Sequence, residues 1–207
     1  MFDKNLLKGK RILVTGGGSG LGKEMSRHFL TYGAEVIICG RRDEVLQKTA
    51  TELADETKGN ISAHSLDIRD SLAIEETINN IFDEGPLDGL VNNAAGNFIS
   101  RTNDLSPNGF NAIASIVFHG TFNMTNTVGK KWIELNKPGT ILSITTTWVW
   151  TGSPFVVPSA MSKSGINAMT KSLAVEWGPH NIRLNCIAPG PFPTEGAWSR
   201  LSPDTEA

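Results

Sequence analysis

The stretch RILVTGGGSGLG, residues 11–22, decides the fold of this 207-residue chain. Its first four residues form a short, mainly apolar run of the kind that makes a buried strand, and glycines crowd the turn that follows. Residues 22–32 then place apolar side chains at helical spacing along one face. A strand, a glycine-rich turn and a helix in this order predict the first half of a βαβ unit.

The same alternation of strand and helix continues along the chain, with no internal repeat and no linker-like stretch. Apolar strands that alternate with amphipathic helices imply a parallel sheet covered on both faces. Right-handed crossovers make this a doubly wound α/β sheet of the Rossmann type, and we expect residues 1–207 to belong to one such domain. The predicted strands are residues 11–14, 35–39, 61–66, 87–91, 139–144 and 182–187, and the predicted helices are residues 22–32, 43–56, 71–82, about 107–135 and 158–177.

Composition and charge exclude several classes of function. The chain has 19 Lys and Arg residues against 21 Asp and Glu residues, a formal net charge of -2. Because no surplus of positive charge is present to hold a phosphate backbone, we expect no nucleic-acid partner. No apolar run approaches the roughly 20 residues that span a bilayer, so we expect no membrane span. No residues have the spacing of metal ligands, and no metal is proposed.

The cysteines and the two termini bear on the cellular compartment. Cys39 and Cys186 both lie in apolar, strand-like runs, which argues for buried and reduced thiols. A disulfide between them is the minor alternative. The N-terminus has no apolar segment of a secretory signal, and the C-terminus has no peroxisomal signal. These features together predict a cytoplasmic location.

The glycine-rich turn is a candidate site for a dinucleotide pyrophosphate. A tight turn, a close approach of the backbone to phosphate and close packing of helix on strand each require a residue without Cβ. The following helix offers unpaired N–H groups and the positive end of its dipole. The candidate contacts are Gly16, Ser19, Gly20, Leu21 and Gly22, at a spacing one residue wider than G-x-G-x-x-G. The alternative is that these glycines only punctuate a loop.

The end of the second predicted strand bears on the choice between NAD and NADP. An acid there would bind the ribose 2′-hydroxyl of NAD, whereas a cation would bind the 2′-phosphate of NADP. The residues present are Arg41 and Arg42, and guanidinium groups suit phosphate. We therefore expect NADPH as the cofactor, unless both arginines are merely solvated. Asp67, after the third strand, is placed to accept from the adenine amino group, or is a turn aspartate bonded to its own backbone.

Four motifs at strand ends make the chain resemble the short-chain dehydrogenase/reductase family. The resemblance implies a nicotinamide coenzyme held beside Asn93, Ala94, Pro189 and Gly190 as well as at the first turn. It also implies a homo-oligomer, with a tetramer expected through the long helices. Because family members usually continue through another helix and strand, the C-terminal part of the fold is expected to be missing from this chain. The motifs are TGxxxGxG at 15–22, NNAAG at 92–96, Ser159-x-x-x-Lys163 and Pro189-Gly190.

A narrower resemblance is to the 2,4-dienoyl-CoA reductase branch of that family. It is carried by residues 93–100, 155–160, 189–191 and 196–201. The resemblance implies NADPH-dependent reduction of a 2,4-dienoyl-CoA to a trans-3-enoyl-CoA in the β-oxidation of unsaturated fatty acids. The substrate partner would then be an acyl-CoA.

The chain departs from the family pattern where the family donates a proton. Most members have tyrosine at the position of Ser159, although the dienoyl-CoA branch also has serine there. That branch carries its tyrosine earlier, where this chain has Trp148. The asparagine that the family places in its long helix is replaced by His119, and the usual serine of the fifth strand is replaced by Thr146. The nucleotide half of the pattern is therefore intact and the proton-donating half is altered.

The residues that remain suggest how catalysis would proceed. Lys163 lies one helical turn after Ser159, and the resemblance places it on the hydroxyls of the nicotinamide ribose. Asn97 and the indole N–H of Trp148 are candidate donors to the thioester oxygen. Each residue also has a plainer interpretation: a surface lysine, a helix N-cap at Ser159, a turn asparagine, a packing tryptophan and, at His119, a helix histidine with no chemistry.

Three functions stay open on the sequence. The first is the dienoyl-CoA reductase. The second is an NADP(H)-binding protein of the same fold with impaired catalysis, such as a sensor or partner subunit, because Trp148 replaces the family acid. The third, a 3-oxoacyl-thioester or carbonyl reductase, is disfavoured because a developing alkoxide needs a proton donor in place.

Overall fold

A computed structural model of the chain describes residues 2–190 and residue 192. Its six strands form one parallel sheet in the order β3-β2-β1-β4-β5-β6. The chain therefore winds outward from β1 in one direction and then, from β4, in the other, which confirms the predicted doubly wound sheet. The strands are β1 Arg11–Thr15, β2 Glu35–Gly40, β3 Ile61–Ser65, β4 Gly89–Asn92, β5 Gly139–Ile144 and β6 Ile182–Ile187.

The helices lie between the strands, as the alternating pattern predicts. The predicted helix ends lie within two residues of the observed ones, except in the long helix before β5, which is interrupted. The described residues also contain two short 3-10 turns, Thr102–Asp104 and Gly178–His180. The α-helices are α1 Gly20–Thr31, α2 Asp43–Thr57, α3 Ser71–Glu84, α4 Pro107–Ala114, α5 Thr121–Glu134, α6 Trp148–Thr151 and α7 Val157–Glu176.

Helices cover both faces of the sheet. Successive side chains of a strand point to opposite faces. Along β1, Leu13 accordingly joins the core cluster packed by α3 and α5, whereas Ile12 and Val14 join the cluster packed by α1 and α2. A third, smaller cluster joins α4, the segment after it and α7. Burial on both faces explains the continuous apolar runs within β1 and β2.

The predicted long helix at 107–135 is wrong in one respect. Residues Ser115–Gly120, between α4 and α5, form a π-helical segment, in which hydrogen bonds span one more residue than in an α-helix. A Cβ at Gly120 would lie 2.7 Å from the Ile68 side chain, so the segment lies tightly against the residues that follow β3. The π segment is only six residues long, which is too short to break the apolar period of the surrounding helix visibly, so the apolar pattern did not reveal it. The short α6 was also not predicted, because four residues are too few to show a period.

The two cysteines lie on strands that are far apart in the sheet. Cys39 is on β2 and Cys186 is on β6, with three strands between them, so a disulfide is geometrically impossible. Burial raises the pKa of the Cys39 thiol to about 12, which keeps it protonated and inert. The expectation of burial was wrong for Cys186, which is partly exposed and contacts the Thr170 hydroxyl at 3.1 Å. In the part of the chain that the structure describes, no helix is long and apolar enough to cross a bilayer.

Candidate active site

The candidate site lies at the carboxyl edge of the sheet, where β1 and β4 are neighbours. The two halves of the fold diverge there, and the crevice between them is the usual binding place in open α/β sheets. The turn after β1, the loop after β4, the segment after β5 and Pro189-Gly190 after β6 all reach this edge. The predicted site residues on these four segments are therefore brought to one edge of the molecule.

Glycines let the first turn close against the loop that follows β4. Gly16 has a φ of +68°, a left-handed conformation that favours glycine. A Cβ at Gly22 would lie 2.3 Å from the Gly16 carbonyl oxygen and 2.6 Å from the Asn93 amide nitrogen. No side chain fits in that space, so the start of α1 can approach the strand ends closely. The interpretation of these glycines as simple loop punctuation does not explain such a cradle.

The N-terminus of α1 is free to receive an anion. Ser19 is its N-cap residue, but its side chain makes no capping hydrogen bond, and the first turn contains no acidic residue. The N–H groups that open the helix thus have no side-chain partner among the described residues, and the positive end of the helix dipole lies with them. Gly20 and Leu21 lie in this first turn. The donors and the cradle fit a dinucleotide pyrophosphate.

Thr15 joins the first turn to the loop after β4, a role that sequence reasoning did not identify. Its hydroxyl oxygen accepts hydrogen bonds from the backbone N–H groups of Asn93 and Ala94, both at 3.0 Å, and donates to the Val91 carbonyl at 3.3 Å. The Asn93 side-chain amide in turn donates to the Thr15 carbonyl at 3.0 Å. The position of Thr15 at the head of the TGxxxGxG motif was the only available signal.

A buried asparagine ties β4 to the elements on either side of it. The Asn92 side-chain amide donates to the Thr125 hydroxyl at 2.9 Å and to the Ser143 hydroxyl at 3.3 Å. These partners lie on α5 and β5, so the three bonded side chains fix the strand ends relative to the helix behind them. Sequence reasoning treated Asn92 only as part of a motif.

Two arginines follow the end of β2, at the place where the sequence predicts contact with the 2′-phosphate of NADP. Arg41 and Arg42 follow β2 directly, both are exposed, and neither forms an ion pair with any described residue. Their guanidinium groups are therefore free to bind a phosphate. The alternative of two solvated arginines describes the same geometry, and ligand binding alone separates the two.

Asp67 is engaged by a third arginine that sequence reasoning missed. Its carboxylate accepts from the backbone N–H of Arg69 at 3.0 Å and from the Arg69 guanidinium, whose Nε is 2.9 Å from both oxygens. Asp67 is thus a turn aspartate bonded to the nearby backbone, and it also forms an ion pair with Arg69. The hydrogen bond from Arg69 and the charge of Arg41 hold the pKa of Asp67 below its usual range. A carboxylate has lone pairs for further bonds, so the adenine role stays a prediction.

Ser159 and Lys163 lie together on the buried face of α7. Each is only 6% exposed, and the Lys163 ammonium donates to the Ile144 carbonyl at the end of β5. Two plainer interpretations are therefore wrong: Lys163 is not a surface lysine, and the N-cap residue of α7 is Val156 rather than Ser159. The Ser159 hydroxyl makes no hydrogen bond within residues 2–190 and 192.

The two candidate donors to a thioester oxygen have no partner in the described structure. Asn97 keeps its side-chain oxygen buried without a hydrogen bond, and no bond from its amide nitrogen is present. Trp148, which opens α6, is half-buried, and its indole N–H has no acceptor among the described residues. The other nearby tryptophans differ, since Trp132 is fully buried and donates to Leu87 at 2.6 Å, while Trp150 is 68% exposed.

His119 lies in the π segment and is exposed. Its ring meets the ring of Phe118 edge to face, with 5.4 Å between the centroids, and no side-chain hydrogen bond is formed in the described structure. The structure thus leaves the plain interpretation of His119 standing. Among residues 2–190 and 192, no three His, Cys, Asp or Glu side chains are close enough to hold a metal ion.

A Rossmann sheet with a glycine cradle, a helix N-terminus without a side-chain cap and a buried lysine beside the β5 end suits the binding of a dinucleotide. The chain belongs to the short-chain dehydrogenase family, since the family described as short chain dehydrogenase matches residues 10–204.

Known relatives agree with this assignment. The chain is 47% identical over 198 residues to a probable 2,4-dienoyl-CoA reductase of Caenorhabditis elegans whose name specifies a (3E)-enoyl-CoA product. The match covers 94% of this chain and 64% of that protein, so the chain spans less than two thirds of the relative's length.

Two solved structures share the fold. A short chain dehydrogenase from Bacillus anthracis superposes with a TM-score of 0.86 at 44% identity, over 89% of this chain and 75% of the other. A single-residue variant of actinorhodin polyketide ketoreductase, solved with NADPH, superposes with a TM-score of 0.87 at 30% identity, over 92% and 74% of the two chains.

The burial of Lys163 predicts a distinctive pH dependence of stability. Desolvation lowers the pKa of Lys163 from 10.5 to about 8, with the nearby Cys186 opposing the shift. Between these two values the unfolded chain binds a proton that the folded chain has lost, so the free energy of unfolding should rise with pH. At about 1.4 kcal/mol per pKa unit, the rise is roughly 3 kcal/mol. Urea unfolding of the wild-type protein and of Lys163→Met between pH 7 and 10.5 measures this rise as the difference between the two proteins. The comparison is needed because Cys39, whose pKa burial raises from 9.0 to about 12, lowers the free energy of unfolding of both proteins above about pH 9.

Lys163→Met should remove that rise, because methionine fills similar space without a titrating group. Lys171→Met is the matched control, since Lys171 is exposed on the same helix, and it should keep the wild-type rise. Equal pH dependence in Lys163→Met and the wild-type protein would show that burial does not set this pKa.

Proposed function

We propose that the chain carries the catalytic site of an NADPH-dependent 2,4-dienoyl-CoA reductase that forms a trans-3-enoyl-CoA. The observation that carries the proposal is the pairing of a glycine cradle with two side chains at the same sheet edge, Asn97 and Trp148, whose N–H groups have no acceptor among the described residues. The name of the Caenorhabditis elegans relative supports this substrate class. The reaction would belong to the β-oxidation of unsaturated fatty acids.

NADPH is the proposed coenzyme, and it supplies the hydride when bound. Gly16, Gly20 and Gly22 would give the pyrophosphate access to the N–H groups of α1. Arg41 and Arg42 would hold the 2′-phosphate, because they are exposed guanidinium groups without ion-pair partners in the described structure.

The remaining predicted contacts extend along the same edge. Asp67 would accept from the adenine amino group. Asn93, Ala94, Pro189 and Gly190 would line the path to the nicotinamide.

Lys163 would fix the nicotinamide ribose through its ammonium group, which the Ile144 carbonyl orients. Its positive charge would also favour the negative charge that develops near the hydride-transfer site. Ser159, one turn earlier and without a hydrogen bond in the described structure, would face the same place. Both residues are proposed as part of the catalytic site.

The chemistry of a conjugated thioester suits a site that lacks the family tyrosine. Hydride addition to the far end of the diene develops a delocalised enolate, whose charge lies largely on the thioester oxygen. Asn97 and Trp148 would donate to that oxygen, and a water molecule can later supply the proton to carbon. Ketone reduction develops a localised alkoxide instead, and neither an indole nor an aliphatic hydroxyl is acidic enough to protonate it well.

The acyl-CoA is the proposed partner, and a homo-oligomer, with a tetramer as the expected form, is proposed from the family resemblance. A cytoplasmic location stays a prediction. The competing function is an NADP(H)-binding protein with impaired catalysis, and the observation that favours it is the replacement of the family acid by Trp148.

A substrate comparison tests the proposal directly. We expect the purified chain to oxidise NADPH with 2,4-hexadienoyl-CoA, with parallel loss of the diene absorbance and the nicotinamide absorbance. Acetoacetyl-CoA, a ketone substrate, should give little or no turnover because the acid is absent. Tight NADPH binding without dienoyl turnover would support the impaired-catalyst alternative instead, and turnover of the ketone alone would support a carbonyl reductase.

Trp148→Phe tests the indole donor. The substitution keeps an aromatic ring but removes the N–H, so dienoyl turnover should fall on the order of 100-fold, as for other donors to a developing oxyanion. NADPH affinity should not change. Trp150→Phe is the matched control, since Trp150 is exposed two residues away, and it should turn over at the wild-type rate. Unchanged turnover in Trp148→Phe refutes the donor role.

Replacing Arg41 and Arg42 together by alanine tests the coenzyme preference. The loss of two charge-assisted hydrogen bonds should raise the KM for NADPH by roughly 100-fold, equivalent to about 3 kcal/mol, while the KM for NADH stays within a few-fold. Arg183→Ala, on β6, removes an exposed arginine elsewhere and should leave both constants unchanged. Parallel changes in the two KM values would mean that the arginines do not read the 2′-phosphate.

A further inference from the structure

Phe155 has an unusual backbone conformation for an aromatic residue. Its φ is +65°, in the left-handed region. The other non-glycine residues with positive φ in the described structure, Lys58, Asn136 and Asn181, each lie at or directly after the end of a helix, where this conformation is common. Phe155 instead precedes a helix, between α6 and α7. A bulky side chain in such a conformation is strained, and strain of this kind clusters at ligand-binding sites.

The backbone on both sides of Phe155 is held in place. Its carbonyl oxygen accepts a hydrogen bond from the Ser100 N–H at 2.9 Å. The next residue, Val156, is only 3% exposed and is the N-cap of α7. The bond to Ser100 joins the loop after β4, which carries Asn97, to the segment that leads into Ser159. Phe155 is therefore fixed between the two segments that carry proposed catalytic residues.

The conformation of Phe155 does not serve to bury its ring. The side chain is 49% exposed. In the loop after β4, Ile99 next to Ser100 is 43% exposed and Phe98 is 36% exposed. Apolar side chains thus reach the surface on both of the segments that the Ser100–Phe155 bond joins, close along the chain to Asn97. When a ligand covers such exposed apolar surface, binding is favoured because the surface is removed from water.

We propose that Phe155, together with Ile99 and Phe98, forms the subsite for the acyl chain of a CoA thioester, and that Phe155 is its specificity-determining residue. This inference rests on the proposed function for its ligand class. A thioester group beside Asn97 would direct its hydrocarbon tail along the neighbouring residues of the same loop, where these side chains lie. The hydrocarbon tail would cover apolar surface that water otherwise covers.

The test compares the binding of octanoyl-CoA and free CoA to the full 207-residue chain by calorimetry. The wild-type protein should bind octanoyl-CoA more tightly than CoA. Phe155→Asn should reduce that preference about tenfold, the effect of losing apolar contact with a few methylene groups, and should leave CoA affinity unchanged. Asparagine accepts the left-handed conformation more readily than phenylalanine, so the melting temperature should not fall.

Leu135→Asn is the matched control. Leu135 is 51% exposed, as Phe155 is, but it ends α5 at the opposite edge of the sheet, before β5 begins. This variant should keep the full preference for octanoyl-CoA. An unchanged preference in Phe155→Asn, or no preference in the wild-type protein, overturns the subsite. A third outcome separates this inference from the proposed function. If Phe155→Asn loses the wild-type preference for octanoyl-CoA over CoA, but the wild-type protein turns over no dienoyl-CoA, the subsite is upheld and the proposed reductase is refuted.

Discussion

The contact between the first turn and the loop after β4 is the constraint on which the rest of the site depends. The start of α1 can lie against the strand ends only because Gly22 has no side chain where the Gly16 carbonyl and the Asn93 amide approach. Thr15 then links the two segments through its hydroxyl. Any side chain at Gly22 would push the helix N-terminus away from the crevice, and the N–H groups proposed to bind an anion would move with it.

Positive charge along the same edge complements that arrangement. Four positive groups lie on segments that reach this edge: the N-terminus of α1, Arg41, Arg42 and Lys163. Asp67, the acid near Arg41, is paired with Arg69. The net charge of the whole chain is only -2, so the positive charge at this edge comes from the placement of charges and not from their sum. A buried Lys163 with a lowered pKa shows that this placement has an energetic cost.

The opposite half of the site is organised around hydrogen-bond donors. Asn97 lies on the loop after β4, and Trp148 opens α6 after β5. The Ser100–Phe155 bond connects the loop after β4 to the start of α7. Loops on a rigid sheet can change their chemistry without loss of the fold. This explains how the coenzyme half follows the family pattern while the proton-donating half departs from it at Trp148 and His119.

The sequence by itself determined the order of strands and helices, the glycine cradle and the family. These features are local, because alternation, helical periodicity and a glycine cluster are visible in a few consecutive residues. Only the tertiary structure decided that Lys163 is buried, that Arg69 pairs with Asp67, that the long helix contains a π segment and that Phe155 is strained. Each of these depends on groups that are distant in sequence or on a backbone angle, and the folding of the sheet brings them together.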